Sequence, residues 1–302
     1  DEEGDDDGVW STLAGAGLVA AAGAPRRRPA VVPVPHVRQA STWGEEAGIV
    51  VVVGERASRR RRAPSPHSPD CGLACVLIIL RAAGAPPTLS LNALKHDVGT
   101  ESVWTIDLAH SLARRGVPVT LTTTTVGRPN PAYAREAFYG ATLAADAPRV
   151  AALFRGAAAA GVAVERRSLT SACVASFLAS GDGVVVVLVD RRALAQPASP
   201  SRTPSPVGGA PVPASFSDGG YMGHYVLLVG HDPSDDTFAV RDPAGGPTLG
   251  RVPAPALDAA RTAFGTDEDL LLVRLPPPRG RKRRTSDGEA LSALPAAVWA
   301  AG

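Results

Sequence analysis

The chain has 302 residues, a length that suits one large domain or two small ones. Its hydrophobic content of 45% is typical of a globular protein, and its formal net charge of +2 excludes a strong global field that would select nucleic acid or a membrane surface. The three cysteines, an odd number, argue against a disulfide framework and indicate a reducing compartment such as the cytoplasm.

The first two-thirds of the chain carry mainly helical patterns. Residues 1–30 have the composition of a disordered segment, and 44–69, with a Val run, four arginines and a Pro/Ser cluster, is typical of a surface insertion. The spacing of apolar residues predicts helices over 71–84, 89–99, 105–116, 147–161 and 170–181. The alternating β-branched run "VPVTLTTTTVG" predicts one strand in this part, over 117–127.

The last third changes to strands separated by turns. Apolar runs predict strands over 183–190, 224–232, 237–243 and 269–275, and "DPSDD" between the middle two is typical of a hairpin. The Pro- and Ser-rich segment 195–215 predicts a second loop insertion, and 276–302 predicts a basic disordered tail. We therefore expect a single α+β domain over 31–275, with a helical N-terminal half packed on an antiparallel sheet from the C-terminal half.

Residues 69–75, "PDCGLAC", place two cysteines at the start of the first predicted helix. Asp70 is the expected N-cap, so Cys71 would lie where the free N–H groups and the dipole of the helix favour a thiolate. Cys75, one turn later on the apolar face, has no such advantage. The alternative is that both cysteines are small buried hydrophobic residues.

A cysteine nucleophile needs a base with a fixed direction. Of the six histidines, His224 is the best placed, because it follows "GYMG" and opens a predicted strand. The next predicted strand ends in "RDP", so direct hairpin pairing would bring Asp242 beside His224, where a carboxylate sets the imidazole tautomer and stabilises the imidazolium form. In the alternative, His224 caps a strand and Asp242 starts the turn before Pro243.

Five motifs follow one another between residues 31 and 275: "VPHVRQ", "DCGLACVLIIL", "SVWTIDLAHSLARRGV", "GHYVLLVGHD" and "FGTDEDLLLV". Together they resemble the guanylyl cyclase domain-containing family, which includes the plant soluble guanylyl cyclase 1 type. In that family a Trp runs almost directly into "DCGLAC". Here residues 44–69 separate Trp43 from Asp70, which supports the interpretation of 44–69 as an insertion.

The "DCGLAC" helix and the "GHY" strand also resemble the bacteriocin-processing cysteine peptidases, which have a papain-like fold. In that group the Cys of "DCG" is the nucleophile, the strand His is the base, the Asp of "DP" orients the His, and an upstream Gln donates to the oxyanion. The resemblance assigns these roles to Cys71, His224, Asp242 and Gln39. A side-chain amide beside the cysteine's own backbone N–H is a suitable pair of oxyanion donors.

The name of the first family implies a different activity, the conversion of GTP to cyclic GMP with Mg²⁺ or Mn²⁺. That reaction needs carboxylate-held metal ions and a triphosphate cradle, yet the sequence has no "GxxxxGK[ST]" loop. Asp267, Glu268 and Asp269 form the densest carboxylate cluster, although such residues before a strand usually form a solvated turn. We expect no metal site unless these three serve a cyclase, because the cysteines lack the spacing of zinc ligands.

Three hypotheses follow from the sequence. The residues are most consistent with a cysteine hydrolase or acyl-transfer enzyme that acts, without a cofactor, on a peptide, isopeptide or thioester. The alternatives are a guanylyl cyclase and a catalytically silent binding module. The sequence does not choose between a peptide, an acyl and a nucleotide substrate. It predicts no specific nucleic-acid partner and no membrane partner, and the basic tail adds a weak indication of nuclear import.

Overall fold

The computed structural model describes residues 31–37, 70–140, 142–195 and 220–275. The predicted terminal segments 1–30 and 276–302 lie outside the described residues. So do the whole 44–69 insertion and all of the 195–215 insertion except Ala195. These predictions of disorder and insertion therefore stay predictions.

The described elements alternate between helices and strands along most of the chain. In order they are α1 (Asp70–Ala82), α2 (Leu91–Val98), α3 (Thr105–Ala113), β1 (Val119–Thr123), a 3-10 helix (Pro131–Arg135), α4 (Leu143–Gly156), β2 (Val162–Arg166), α5 (Ser171–Leu178), β3 (Gly183–Asp190), α6 (Arg191–Ala195), β4 (Gly223–Asp232), β5 (Thr237–Arg241), β6 (Gly250–Pro253), α7 (Ala254–Arg261) and β7 (Leu270–Arg274). The strands form one sheet in the order β2-β1-β7-β3-β4-β5-β6. Strands β1 and β2 are parallel, and every other neighbouring pair is antiparallel.

The α+β class is confirmed, but the predicted division into a helical half and a sheet half is wrong in one respect. Strands β1 and β2 precede the last third of the chain and join the sheet as a parallel pair, so the sheet is mixed rather than antiparallel. The parallel pairing follows from α4, which carries the chain back across the sheet between the two strands. The predicted helix over 147–161 ends earlier, at Gly156, and leaves the chain free to form β2.

The sheet lies between two helical layers, and the sequence of β3 shows why. Its run "VVVVLV" has no polar alternation because both faces are covered: Val184, Val186 and Leu188 pack with α1 and α3, and the residues between them pack with α5 and α7. Helix α1 is buried along nearly its whole length. Such a helix is typical of the centre of a fold, and it brings its first residues against the start of β4.

Gly72 permits the close approach of α1 to β4. A Cβ at this position would meet Leu108 Cδ1 at 2.8 Å and Tyr225 Cδ2 at 2.9 Å, closer than any real Cβ contact. Leu108 belongs to α3 and Tyr225 to β4, so both neighbours are fixed in the core. The glycine after Cys71 therefore sets the distance between the cysteine and the sheet.

We expect Gly72→Ala to destabilise the protein by roughly 1–3 kcal/mol, because the cost of overpacking exceeds the gain in helix propensity. The free energy of unfolding in urea measures this effect. Gly156→Ala is the matched control, since a Cβ there meets no atom within 4 Å, and we expect it to be neutral or slightly stabilising. Equal effects of the two substitutions would contradict the role given to Gly72.

Candidate functional site

Cys71 lies in the first turn of α1 with only 7% of its surface exposed. The residue before it departs from the prediction: Asp70 is the first residue of the helix rather than an N-cap outside it. Its carboxylate pairs with Lys95 Nζ at 2.7 Å, and both side chains are buried. A buried ammonium needs a carboxylate partner, so the ion pair competes successfully with capping. It ties α2 to the start of α1 and fixes the position of Cys71.

His224 is the second residue of β4, and its imidazole is buried. Its Nε2 lies 2.7 Å from Asp242 Oδ1. The hairpin register pairs Leu227 with Arg241, so Asp242, the next residue, lies beside the beginning of β4. Because Nε2 is used by Asp242, the other ring nitrogen is available to the Cys71 thiol, which is in hydrogen-bonding contact with the imidazole.

The charges of this trio support one another. Burial alone would lower the pKa of His224, but the hydrogen bonds with Asp242 and then with Cys71 raise it to about 9. Burial alone would raise the pKa of Asp242, but the hydrogen bond from His224 lowers it, helped by the backbone N–H of Ala244 at 2.8 Å. At neutral pH the imidazole is therefore protonated and flanked by a carboxylate and a sulfur.

The other two cysteines have different surroundings. Burial raises the pKa of the Cys75 thiol well above its ordinary value, and its Sγ points at the carbonyl oxygen of Tyr225, 3.8 Å away. Cys173 lies half-buried on α5, on the opposite side of the sheet. Cys75 is thus a protonated core residue, and only Cys71 of the three faces a histidine in the described part of the chain.

Two of the histidines that sequence reasoning set aside, His110 and His231, make contacts elsewhere in the fold. His110 Nε2 is 3.0 Å from the carbonyl oxygen of Leu153, in the contact between α3 and α4. His231 lies at the far end of β4, where its Nε2 is 2.9 Å from Asp236 Oδ1. His231 forms a His-Asp pair like that of His224, but it is distant from the sulfur.

A cavity of about 250 Å³ opens beside Cys71. Its walls include the rings of Trp104, Phe138 and Tyr139, and its polar lining includes three carboxylates. The indole of Trp104 is held in place by a hydrogen bond from Nε1 to Asp146 Oδ2 at 3.0 Å. The cavity is the space in which a substrate group could meet the sulfur.

The cluster at residues 267–269 is not the solvated turn that the sequence predicts. Asp267 is half-buried, and its Oδ1 accepts hydrogen bonds from Thr125, Asn130 and Tyr133 at 2.7–3.1 Å. Asp267 and Glu268 have φ values of +48° and +53°, in the left-handed region. The surrounding hydrogen bonds compensate for this strained backbone and turn the Asp267 carboxyl inward.

The same three side chains do not form a metal-ligand set. Glu268 points to Ser168 and Arg261, whereas Asp269 accepts a hydrogen bond from Thr105 Oγ1. Because Glu268 turns away to these partners, the three carboxylates do not converge on one point. Among residues 31–37, 70–140, 142–195 and 220–275, no group of three or more His, Cys, Asp or Glu side chains could hold a metal.

Sequence reasoning missed the contribution of the segment "SVWTIDL". Thr105 Oγ1 lies 2.9 Å from Tyr225 OH and also donates to Asp269, so it links the cavity carboxylate Asp269 to β4. Arg149 of α4 binds both Asp107 and Asp146 and thereby fixes Trp104. The Asp three residues after Trp104 accepts a hydrogen bond from its backbone N–H and signals the start of α3, but no local pattern indicates the fixed indole, because Asp146 comes from α4.

Gln39, the expected second oxyanion donor, lies outside the described residues. Its role therefore stays a prediction. The described residues thus place a cysteine at the start of a central helix, facing a histidine of the sheet that is paired with an aspartate. The helices of the described segments include none long and apolar enough to cross a membrane.

Comparison with known proteins gives three findings. A family model described as "Guanylylate cyclase" matches residues 65–273. The chain is 35% identical over 242 residues to Guanylyl cyclase 1 of Arabidopsis thaliana, a match that covers 80% of this chain and 76% of that protein. A crystal structure described as a C39-like peptidase from Bacillus anthracis is similar with a TM-score of 0.36 and 12% identity, over 68% of this chain and 88% of that one.

Proposed function

The chain belongs to the guanylylate cyclase family, and because the reactive groups beside its cavity are a cysteine, a histidine and an aspartate, we propose that it acts as a cysteine hydrolase or acyl-transfer enzyme. The observation that carries the proposal is the position of His224, between Cys71 and Asp242. A nucleophile in contact with a base, itself oriented by a third group, is the arrangement that covalent acyl transfer requires.

The first half-reaction forms an acyl-enzyme. The Cys71 thiolate attacks the carbonyl carbon of the substrate, and the tetrahedral oxyanion is held by the Cys71 backbone N–H, with Gln39 as the proposed second donor. The imidazolium of His224 then gives its proton to the leaving amine or thiol as the carbon–leaving-group bond breaks. The product of this step is a thioester on Cys71.

The second half-reaction releases the acyl group. His224, now neutral, takes a proton from water or from an acceptor amine, which attacks the thioester carbon and expels the Cys71 thiolate. Asp242 touches neither substrate nor sulfur. It is a positioning residue that holds the imidazole and stabilises its protonated form. Peptide, isopeptide and thioester substrates are all compatible with these steps.

A second candidate is guanylyl cyclase activity, because a protein 35% identical to this chain is called Guanylyl cyclase 1. The residues at 267–269 do not fit the metal that this reaction would use, since their carboxylates point to three different sets of partners. The third hypothesis, a silent binding module, predicted that Cys71 and His224 would not be neighbours. Their hydrogen-bonding contact argues against it.

The experiment that separates the candidates incubates wild type and Cys71→Ala with a thioester or peptide probe and, in parallel, with GTP and Mg²⁺ or Mn²⁺. The proposal expects acyl hydrolysis that requires Cys71. Metal-dependent formation of cyclic GMP that is unchanged in Cys71→Ala, together with no acyl hydrolysis, would overturn it in favour of the cyclase.

A further inference from the structure

Building on the function proposed above, we propose that the cavity beside Cys71 is a specificity pocket for a positively charged substrate group, a guanidinium or an ammonium. Cys71 itself lines the cavity, together with Gly223 and Tyr225, the residues on either side of His224. A group bound in this space is therefore held next to the sulfur and the imidazole. Its chemistry would decide which acyl groups are presented for attack.

The charges that line the cavity have one sign. Glu101, Asp267 and Asp269 are its charged residues, and no Arg or Lys occurs among the described residues that line it. No ion pair within the described ranges involves any of these three carboxylates, whereas Glu268, which points away, binds Arg261 at 3.4 Å. The charge of Glu268 is therefore compensated by a cation of the fold, whereas the three carboxylates of the cavity have no such partner among the described residues.

The ionised form of Asp269 is destabilised by its position in the cavity. Burial and then the charge of Asp267 raise its pKa to about 7, although a hydrogen bond from Thr105 acts in the opposite direction. Carboxylates in a low-dielectric site are costly unless a positive charge compensates them. A cationic ligand would supply the compensation that the described part of the chain does not provide.

The aromatic walls favour the same class of ligand. Trp104 and Tyr139 are stacked with their ring centroids 5.2 Å apart, and Phe138 meets Tyr139 edge-on at 4.9 Å. Tyr139 is also stacked with Tyr133 and Tyr221, so the rings form a fixed apolar wall that packs against the aliphatic or planar parts of a cation. The combination of fixed rings and carboxylates selects a cation with an apolar body, as in an arginine or lysine side chain.

The size of the cavity is consistent with one side chain. Its volume of about 250 Å³ is below the roughly 300–1,000 Å³ of pockets that bury drug-sized ligands. A single arginine or lysine side chain needs less space than such a ligand. The cavity therefore suits one residue of a peptide or isopeptide substrate, positioned close to the carbonyl that Cys71 would attack.

The test measures how fast iodoacetamide alkylates Cys71 in the presence of benzamidine, a planar cation, and of benzamide, its neutral counterpart of nearly the same shape. We expect saturating benzamidine to slow alkylation by roughly tenfold or more and benzamide by no more than about twofold, because only the cation pairs with the carboxylates. Equal protection by both compounds, or protection by neither, would overturn the inference.

Variants that remove one carboxylate charge test whether the cavity carboxylates cause the protection by benzamidine. Asp269→Asn and Asp267→Asn keep the side-chain size, and Asn tolerates the left-handed backbone at position 267. We expect each variant to lose most of the benzamidine protection. Asp182→Asn, at the opposite end of the sheet, is the matched control and should retain it. Circular dichroism and thermal unfolding identify any variant that is misfolded. If one of the two cavity variants is misfolded, the loss of protection is judged from the other. Undiminished protection in a folded cavity variant contradicts the inference.

Amide substrates with a fluorogenic leaving group and Arg, Lys or Leu on the acyl side separate this inference from the proposed function and distinguish the two cations. Faster turnover of Arg or Lys than of Leu supports the pocket. Cys71-dependent turnover without such a preference overturns the pocket but leaves the hydrolase. Benzamidine protection without turnover of any acyl probe supports the pocket and removes the hydrolase.

Discussion

Cys71→Ala is expected to lower the turnover of an acyl probe by at least about 10³-fold, because removing a nucleophile removes the whole covalent route and leaves only binding and oxyanion stabilisation. The effect should appear in kcat rather than in KM, since the thiol bonds to the substrate only during the reaction. Steady-state kinetics of wild type and variant with a thioester substrate measure it.

Cys75→Ala is the control that the helix itself provides. Cys75 lies one turn further along α1 and is fully buried, and its thiol is kept protonated by burial. We expect a loss of stability of about 1 kcal/mol from the small cavity and a change in turnover of less than about threefold. If Cys75→Ala reduced turnover as much as Cys71→Ala, the assignment of the nucleophile would be wrong.

His224→Ala is expected to have the second largest effect, a loss of roughly 10²–10⁴-fold in kcat. The imidazolium is held by Asp242 on one side and contacts Cys71 on the other, so its removal abolishes both the partner of the thiolate and the proton donor for the leaving group. Turnover of the same thioester and the alkylation rate of Cys71 at pH 7 should fall together.

His231→Ala tests whether the loss of turnover is specific to His224. His231 lies on the same strand, β4, and makes the same kind of contact, to Asp236 Oδ1 at 2.9 Å, but has no cysteine beside it. We expect nearly unchanged turnover in His231→Ala. A loss similar to that of His224→Ala would indicate that β4 tolerates no substitution and would remove the support for a base at position 224.

Much of the fold could be predicted from the sequence because its central elements are strongly apolar. The runs in α1, β3 and β4 are buried on almost every side, so composition alone identifies them. Strands β2 and β6 were missed because they are short, lie at the two edges of the sheet and carry polar residues. Their conformation depends on the neighbouring strand, which a local pattern does not contain.

The pairing of His224 with Asp242 could be proposed from spacing, because a hairpin brings the end of β5 beside the start of β4, whereas the link to Cys71 came from the family resemblance. The cavity could not be predicted from the sequence. Its lining comes from segments far apart in the chain, around Trp104, Phe138, Tyr225 and Asp267, and no local pattern shows that they converge. The inward carboxyl of Asp267 also depends on a left-handed backbone that is stabilised by hydrogen bonds from distant residues.

The most direct test of the thiolate–imidazolium pair is the pH dependence of Cys71 alkylation by iodoacetamide, measured by peptide mass spectrometry in a Cys173→Ser background. The proposed mechanism starts from a Cys71 thiolate beside the protonated imidazole of His224, so we expect the rate at pH 6 to stay within about threefold of that at pH 8. A rate that rises about tenfold per pH unit up to about 8.5, as for a free cysteine, would contradict the pair and the mechanism built on it.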